Sequence, residues 1–170
     1  RISIKEAFEK KAGAKVRLAG WVHDSRALGK IKFIVLRDIT GRMQIVGVKS
    51  ETSDKVFELM SKVNRESVIE IEGIIKDSKQ APGGKEIGLE KLEVLNQSEE
   101  KLPIDVSDFS KTELPKRLDY RFVDFHRERV QAVFKIQNEI AHSFREYFYN
   151  KGYIEIQPPY VIASASEGGT

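Results

Sequence analysis

Between Lys15 and Val48 the chain alternates polar and apolar side chains in three successive runs, and no other feature of the sequence limits the fold as strongly. In KVRLAGWVHDS (15–25), Val16, Leu18, Gly20 and Val22 fall on one side and Arg17, Ala19, Trp21 and His23 on the other. That is the period-two signature of a half-buried strand. IKFIVLRD (31–38) forms a second strand, Thr40 and Gly41 the turn, and RMQIVGV (42–48) a third. A short helix over 3–12, opened by Ser3, precedes them. A second helix is predicted over 53–64, where Val56, Leu59, Met60 and Val63 recur at helical spacing and Ser53 is placed to cap it. SVIEIEGIIK (67–76) alternates again, and a QAPGG loop (80–84) leads to a fifth strand near 86–95.

Three strands, a helix and two strands is the element order of the five-stranded OB barrel with one inserted helix, which binds nucleic acids or sugars on its second and third strands. The stretch WVHDSRALGKIKFIVLRDITGRMQ (21–44) puts an aromatic ring, an arginine, a lysine pair and an amide on that part of the barrel. This is equipment for gripping unstacked bases. Composition gives no independent support: 29 Lys and Arg stand against 26 Asp and Glu, a net charge of +3, so nucleic-acid binding has to come from a local patch. At 40% hydrophobic content the chain can bury a real core. The absence of cysteine excludes disulfides and thiolate metal sites. No run of about 18 apolar residues and no secretory signal is evident, so no membrane association is expected and a cytoplasmic location is.

The barrel is assigned to residues 1–96. Residues 97–115 (QSEEKLPIDVSDFSKTELP) break the strand pattern with polar residues and two prolines, and are read as a hinge of partly extended chain. Beyond it, Val130, Val133, Phe134, Ile140, Ala141, Phe144 and Phe148 mark one long amphipathic helix, and Gly152 sits where a left-handed terminal residue belongs. A short strand in YIEIQ, a Pro-Pro break and a small-residue tail follow. Residues 116–170 are therefore expected to be the first helix-strand unit of a truncated α+β domain.

Taken together, WVHDSRALGKIKFIVLRD, RLDYRFVDF and GYIEIQPPYVIASASEGGT resemble the start of an archaeal-type aspartyl-tRNA synthetase, a class II enzyme, over essentially the whole chain. Asparaginyl-tRNA synthetases share most of the pattern, and a free-standing OB module for single-stranded nucleic acid is a third reading. The resemblance implies an anticodon-binding barrel joined by a hinge to the motif 1 region of the catalytic domain. It also implies L-aspartate, ATP and Mg²⁺ as the full-length enzyme's reactants, with none bound by this portion, and a homodimer. No catalytic residue is expected within it, because the family's second and third motifs have no counterpart here.

By position, Phe33 resembles the family residue that stacks on the central anticodon uridine, although a core phenylalanine is the plainer reading of the residue alone. Gln44 resembles a residue that contacts the same uridine, and would otherwise be a solvated strand glutamine. Arg26 is suited to a phosphate or base edge, and Glu86 resembles a carboxylate near the third base. Lys30 and Lys32 are assigned only diffuse attraction for phosphate. Family members that charge tRNA(Asp) alone tend to carry tryptophan where this chain has His23 and lysine where it has Pro82. The His23 and Pro82 combination resembles the relaxed type that also loads tRNA(Asn), and by themselves the two are an exposed strand histidine and a turn proline. Pro159 resembles the motif 1 proline at the dimer interface, and Glu167 in SEGGT the loop carboxylate that receives the substrate's ammonium group, with Gly168 and Gly169 to let the loop move. His126 and His142 lack metal-ligand partners at suitable spacing.

Overall fold

The computed structural model describes residues 1–107 and 111–159 and divides into two compact units, Arg1–Lys101 and Leu102–Thr170. The first is a closed barrel. Helix α1 (Ile4–Glu9) precedes strands β1 (Lys15–Leu28), β2 (Ile31–Arg37) and β3 (Arg42–Val48), and helix α2 (Asp54–Leu59) leads to β4 (Val68–Asp77) and β5 (Lys85–Asn96). The strands close in the order β1-β2-β3-β5-β4, antiparallel except for β3 against β5. Leu18, Val22, Ile34, Leu36, Ile45, Ile69, Ile75 and Ile87 fill the interior, each fully removed from solvent.

β1 belongs to two neighbours. Its first half pairs with β4 and its second with β2, and Trp21 is shared, opposite Val68 on one side and Arg37 on the other. The bend this requires is made by Gly20, where a β-carbon would overlap the carbonyl oxygen of Arg37, and by a bulge between Val22 and Asp24. The strand therefore runs on to Leu28 rather than stopping at Ser25, and the face alternation changes phase at His23.

α1 carries a complete capping box, with Ser3 Oγ accepting from the Glu6 amide at 3.2 Å and a Glu6 carboxylate oxygen accepting from the Ser3 amide at 2.7 Å. Asp38 ties the helix to the β2–β3 turn: it accepts from the Ile4 amide at 2.8 Å and from the Thr40 and Gly41 amides within the turn. Ser3→Ala is expected to cost about 1 kcal/mol of barrel stability, measured by urea denaturation.

α2 is shorter than the predicted 53–64. Ser53 occupies its N-cap without a side-chain cap bond, and the chain leaves the helix after Leu59 through tight turns while still burying Met60 and Val63. Apolar spacing reported which residues face the core, not where the helix ends.

The outside of β1, β4 and β5 is laced with charge. Glu70, almost wholly buried, accepts from Arg17 Nε at 2.7 Å and pairs with Arg1; Lys15 meets Glu90 and Lys91 meets Glu72. The Arg17 hydrogen bond, joined by that of Arg1, outweighs the burial penalty and holds the Glu70 carboxyl below its ordinary pKa. The unfolded chain thus takes up this proton first as pH falls. The Glu70 contribution is complete above the ordinary glutamate range and is lost as the solution is acidified through the folded value. The stability difference between the protein and Glu70→Gln, followed by denaturation across pH, should therefore shrink toward acid and level off above the glutamate range.

In the second unit, Leu102 packs on a small cluster of Ile104, Val106 and Val123. Helix α3 (Leu114–Asp119) starts inside the span read as hinge: Pro115 lies in its first turn, where a missing amide costs nothing, rather than breaking the chain. After α4 (Arg121–Asp124), helix α5 (Glu128–Asn150) confirms the long helix. Burial opposes ionisation of Asp124, but bonds from Arg117 (2.9 and 3.0 Å) and Arg127 (3.1 Å) overcome it and keep its pKa low. Gly152, at φ +82°, ends α5 in a Schellman turn: its amide bonds the Tyr149 carbonyl and the Tyr153 amide that of Phe148. The Phe148 and Tyr153 rings meet edge to face at 5.3 Å. The strand expected in YIEIQ is not formed. Residues 153–159 carry no regular structure, since a strand needs a neighbour for its ladder and none pairs with them among the described residues. No described helix is long and apolar enough to cross a membrane.

Candidate nucleic-acid interface

The bulge at His23 decides which residues share the outer face of β1, β2, β3 and β5. Residues directly opposite in a ladder point the same way, so register defines rows across this face. One row runs Arg26, Phe33, Val46 and Gly88; the next runs Asp24, Val35, Gln44 and Glu86; Leu28, Ile31 and Val48 form a third toward the β1–β2 turn.

In the first row Phe33 is half-buried and stands outside the core, while its neighbour Ile34 is fully buried inside. The core reading of Phe33 is thereby set aside. Arg26 places its guanidinium carbon 4.8 Å from the ring centroid, a cation–π contact that leaves a flat, positively charged edge beside an aromatic face.

In the second row Gln44 is not a solvated glutamine: only 8% of it is exposed, and its Nε2 donates to Glu86 at 2.9 Å. A carboxylate only accepts, so the amide must turn its nitrogen toward Glu86, and its carbonyl oxygen is the end it can offer elsewhere. The two residues assigned to base recognition from distant parts of the sequence are thus direct partners.

His23, the extra residue of the bulge, is half-buried rather than exposed. Its Nδ1 lies 3.2 Å from Arg37 Nη1 and its carbonyl accepts from Arg65 Nε at 3.1 Å. Arginine cannot accept, so Nδ1 carries the lone pair and the ring is neutral. Burial first, then the charges of Arg42 and Arg37, lowers its pKa in the same sense. Pro82 is exposed at the start of a single 3-10 turn (Pro82–Gly84) before β5. His23 lies on β1, and Pro82 in the turn ahead of β5, four residues before Glu86.

Lys32 departs from its expected part. It lies in the inward phase of β2, donates to the Phe57 carbonyl at 2.6 Å and sits 4.0 Å above the Phe57 ring, so it fastens α2 to the barrel instead of attracting phosphate. Lys30 is exposed at the β1–β2 turn. Sequence reasoning missed Arg37 and Glu66, which form a buried ion pair at 2.7 Å with each side chain 6% exposed, the arginine also lying 5.9 Å from the Trp21 ring. A charged residue closing an apolar strand run was the available hint for Arg37; Glu66, in an irregular turn, gave none.

In the second unit, Phe144, Phe148, Tyr153, Ile154 and Ile156 line an open groove of about 620 Å³ beside α5. Pro159 is exposed, and Glu167 lies outside the described residues.

A barrel of this topology with an aromatic and amide-bearing outer face defines an oligonucleotide-binding fold. Residues 16–98 match the family described as OB-fold nucleic acid binding domain, and residues 113–170 match tRNA synthetases class II (D, K and N). The chain thus carries an OB-fold nucleic-acid-binding domain and part of a class II synthetase domain. More particularly, it is 44% identical over 165 residues to the aspartate–tRNA(Asp) ligase of Pyrococcus furiosus, covering 97% of this chain and 38% of the ligase. It is 45% identical over 158 residues to the aspartate–tRNA(Asp/Asn) ligase of Methanopyrus kandleri, covering 93% and 37%. Among solved structures, asparaginyl-tRNA synthetase from Pyrococcus horikoshii complexed with asparaginyl-adenylate matches with a TM-score of 0.85 at 37% identity, covering 93% of this chain and 36% of that one. The chain spans less than two fifths of the length of the curated relatives it matches.

Proposed function

We propose that the barrel reads the anticodon for an aspartate–tRNA ligase. In this reading residues 1–96 are the anticodon-binding domain, 97–115 the hinge, and 116–170 the beginning of the catalytic domain. The observation that carries it is the juxtaposition, on adjacent rows of one face, of the Arg26–Phe33 stack and the Gln44–Glu86 pair. Phe33 offers its ring to an unstacked base, Gln44 offers a carbonyl oxygen to the imino proton of a uridine, Arg26 holds the adjoining phosphate or base edge, and Glu86 holds Gln44 in place while accepting from a neighbouring amine.

The ligase would activate L-aspartate with ATP and pass the aspartyl group from its adenylate to the tRNA's terminal adenosine, as a cytoplasmic homodimer with Pro159 at its interface and Glu167 near the amino-acid substrate. Mg²⁺ would assist at the phosphates. His23 and Pro82 support acceptance of both tRNA(Asp) and tRNA(Asn), because neither supplies a large ring or a fixed cation to separate cytosine from uracil at the third base. Relatives of both kinds match at 44–45% identity, so overall similarity does not choose between them.

Binding of this chain to anticodon stem-loops tests the reading. Loops with GUC and GUU should bind alike and better than loops of scrambled sequence, and equal binding of scrambled loops would sink it. For tRNA choice, a His23→Trp, Pro82→Lys ligase should come to favour tRNA(Asp); continued equal charging would count against the relaxed assignment.

A further inference from the structure

We propose that the buried Arg37–Glu66 pair is a positioning element of the RNA-binding face: it locks the bulge at His23, and through the bulge it aims Arg26 at Phe33. The inference rests on the anticodon reading of that face and adds residues that do not themselves meet the RNA.

The phase of β1 carries the reasoning. Up to Val22 the even-numbered side chains point into the barrel, as the burial of Val16, Leu18 and Val22 records. Beyond the bulge the even-numbered residues point out, with Asp24 opposite Val35 and Arg26 opposite Phe33. Without the extra residue at His23 the register would slip by one, sending Arg26 toward the core and Ser25 or Ala27 onto the base-stacking row. The cation–π contact therefore depends on a backbone irregularity seated several residues away.

That irregularity is held from outside the β1–β2 ladder. The Val22 amide donates to the Ser67 carbonyl at 2.9 Å, the Glu66 amide to the Val22 carbonyl at 2.7 Å, and Arg65 Nε to the His23 carbonyl at 3.1 Å. Arg37 then joins the two sides, giving Nη1 to the His23 ring and Nη2 to the Glu66 carboxylate. Two observations mark the pair as more than filling. Burying both charges is a poor way to gain stability, and a tight apolar pair would serve the core as well. Glu66 also holds φ +65°, a left-handed backbone uncommon for a residue with a β-carbon, which persists only where its surroundings demand it. Both costs fall on the segment that grips the bulge.

Three variants test it. Glu66→Gly suits the backbone and removes the carboxylate; Glu66→Asn tolerates the same backbone but is too short to reach Arg37; Glu66→Gln keeps an acceptor for it. Affinity for a GUC stem-loop is measured below the melting transition, with Arg26→Ala introduced alone and on top of each variant. Glu66→Gly or Glu66→Asn should weaken binding about tenfold, and adding Arg26→Ala should then cost little more, because two changes acting through one contact are not additive. Glu66→Gln should recover most of the loss. In NMR spectra, cross-peaks between the Arg26 side chain and the Phe33 ring should vanish in Glu66→Gly or Glu66→Asn and return in Glu66→Gln. Unchanged affinity despite a lower melting temperature, fully multiplicative losses with Arg26→Ala, or persisting cross-peaks would each overturn the inference. If the unaltered chain itself does not prefer GUC over a scrambled loop, the anticodon reading fails instead, and the cross-peaks still decide whether Glu66 sets the aim of Arg26.

Discussion

Ile34→Ala is expected to destabilise the barrel by about 2–5 kcal/mol in urea denaturation, the range for truncating a large buried aliphatic that leaves a cavity behind. Ile34 has no exposed surface and sits in the cluster with Leu18, Leu36 and Ile45, where a rigid closed sheet has little freedom to collapse around a void. Its side chain points away from the proposed RNA face. Affinity for an anticodon stem-loop, measured where the variant is still folded, should thus remain within about twofold of the unaltered chain.

Phe33→Ala should do the reverse. Stacking of one base on an aromatic side chain is worth about 1–3 kcal/mol, so the GUC loop should bind roughly 5- to 150-fold more weakly. Stability should fall by less than in Ile34→Ala, since Phe33 is only half-buried and stands outside the core cluster. The loss should also persist at raised salt, because stacking releases no counterions, whereas phosphate contacts fade as salt is added. Adjacent residues on one strand would then separate folding from binding. A Phe33→Ala chain that bound GUC as tightly as the original would contradict the assignment of this face.

Those opposite expectations follow from strand phase, and phase is where the sequence was informative and then stopped being so. Alternation placed Val16, Leu18 and Val22 inside and delimited β2 and β3 to within a residue, because a barrel wet on one side leaves a plain period-two record. Element order was enough for the barrel itself. Alternation could not reveal that His23 is an inserted residue: a bulge is a count of two against one, visible only when the partner strand is known. The same limit hid the direct bond between Gln44 and Glu86, which depends on a parallel pairing between strands separated by a helix and a further strand. Lys32 was misjudged for a related reason. A lysine in the inward phase at the end of a strand reaches past the barrel rim to a helix carbonyl, and only the position of α2 shows it. YIEIQ had the composition of a strand, but composition cannot provide a hydrogen-bonding partner.

The parallel contact of β3 with β5 also bears on how the molecule is made. The β1–β2–β3 meander consists of neighbours in sequence and can form while the rest of the chain is still being synthesised, whereas Glu86 emerges with the last strand. Until then Gln44 has no carboxylate to orient it. A chain that has finished only its first three strands lacks both Glu66, which grips the bulge at His23, and Glu86, which orients Gln44, so the complete RNA-binding face depends on segments that are synthesised after β3.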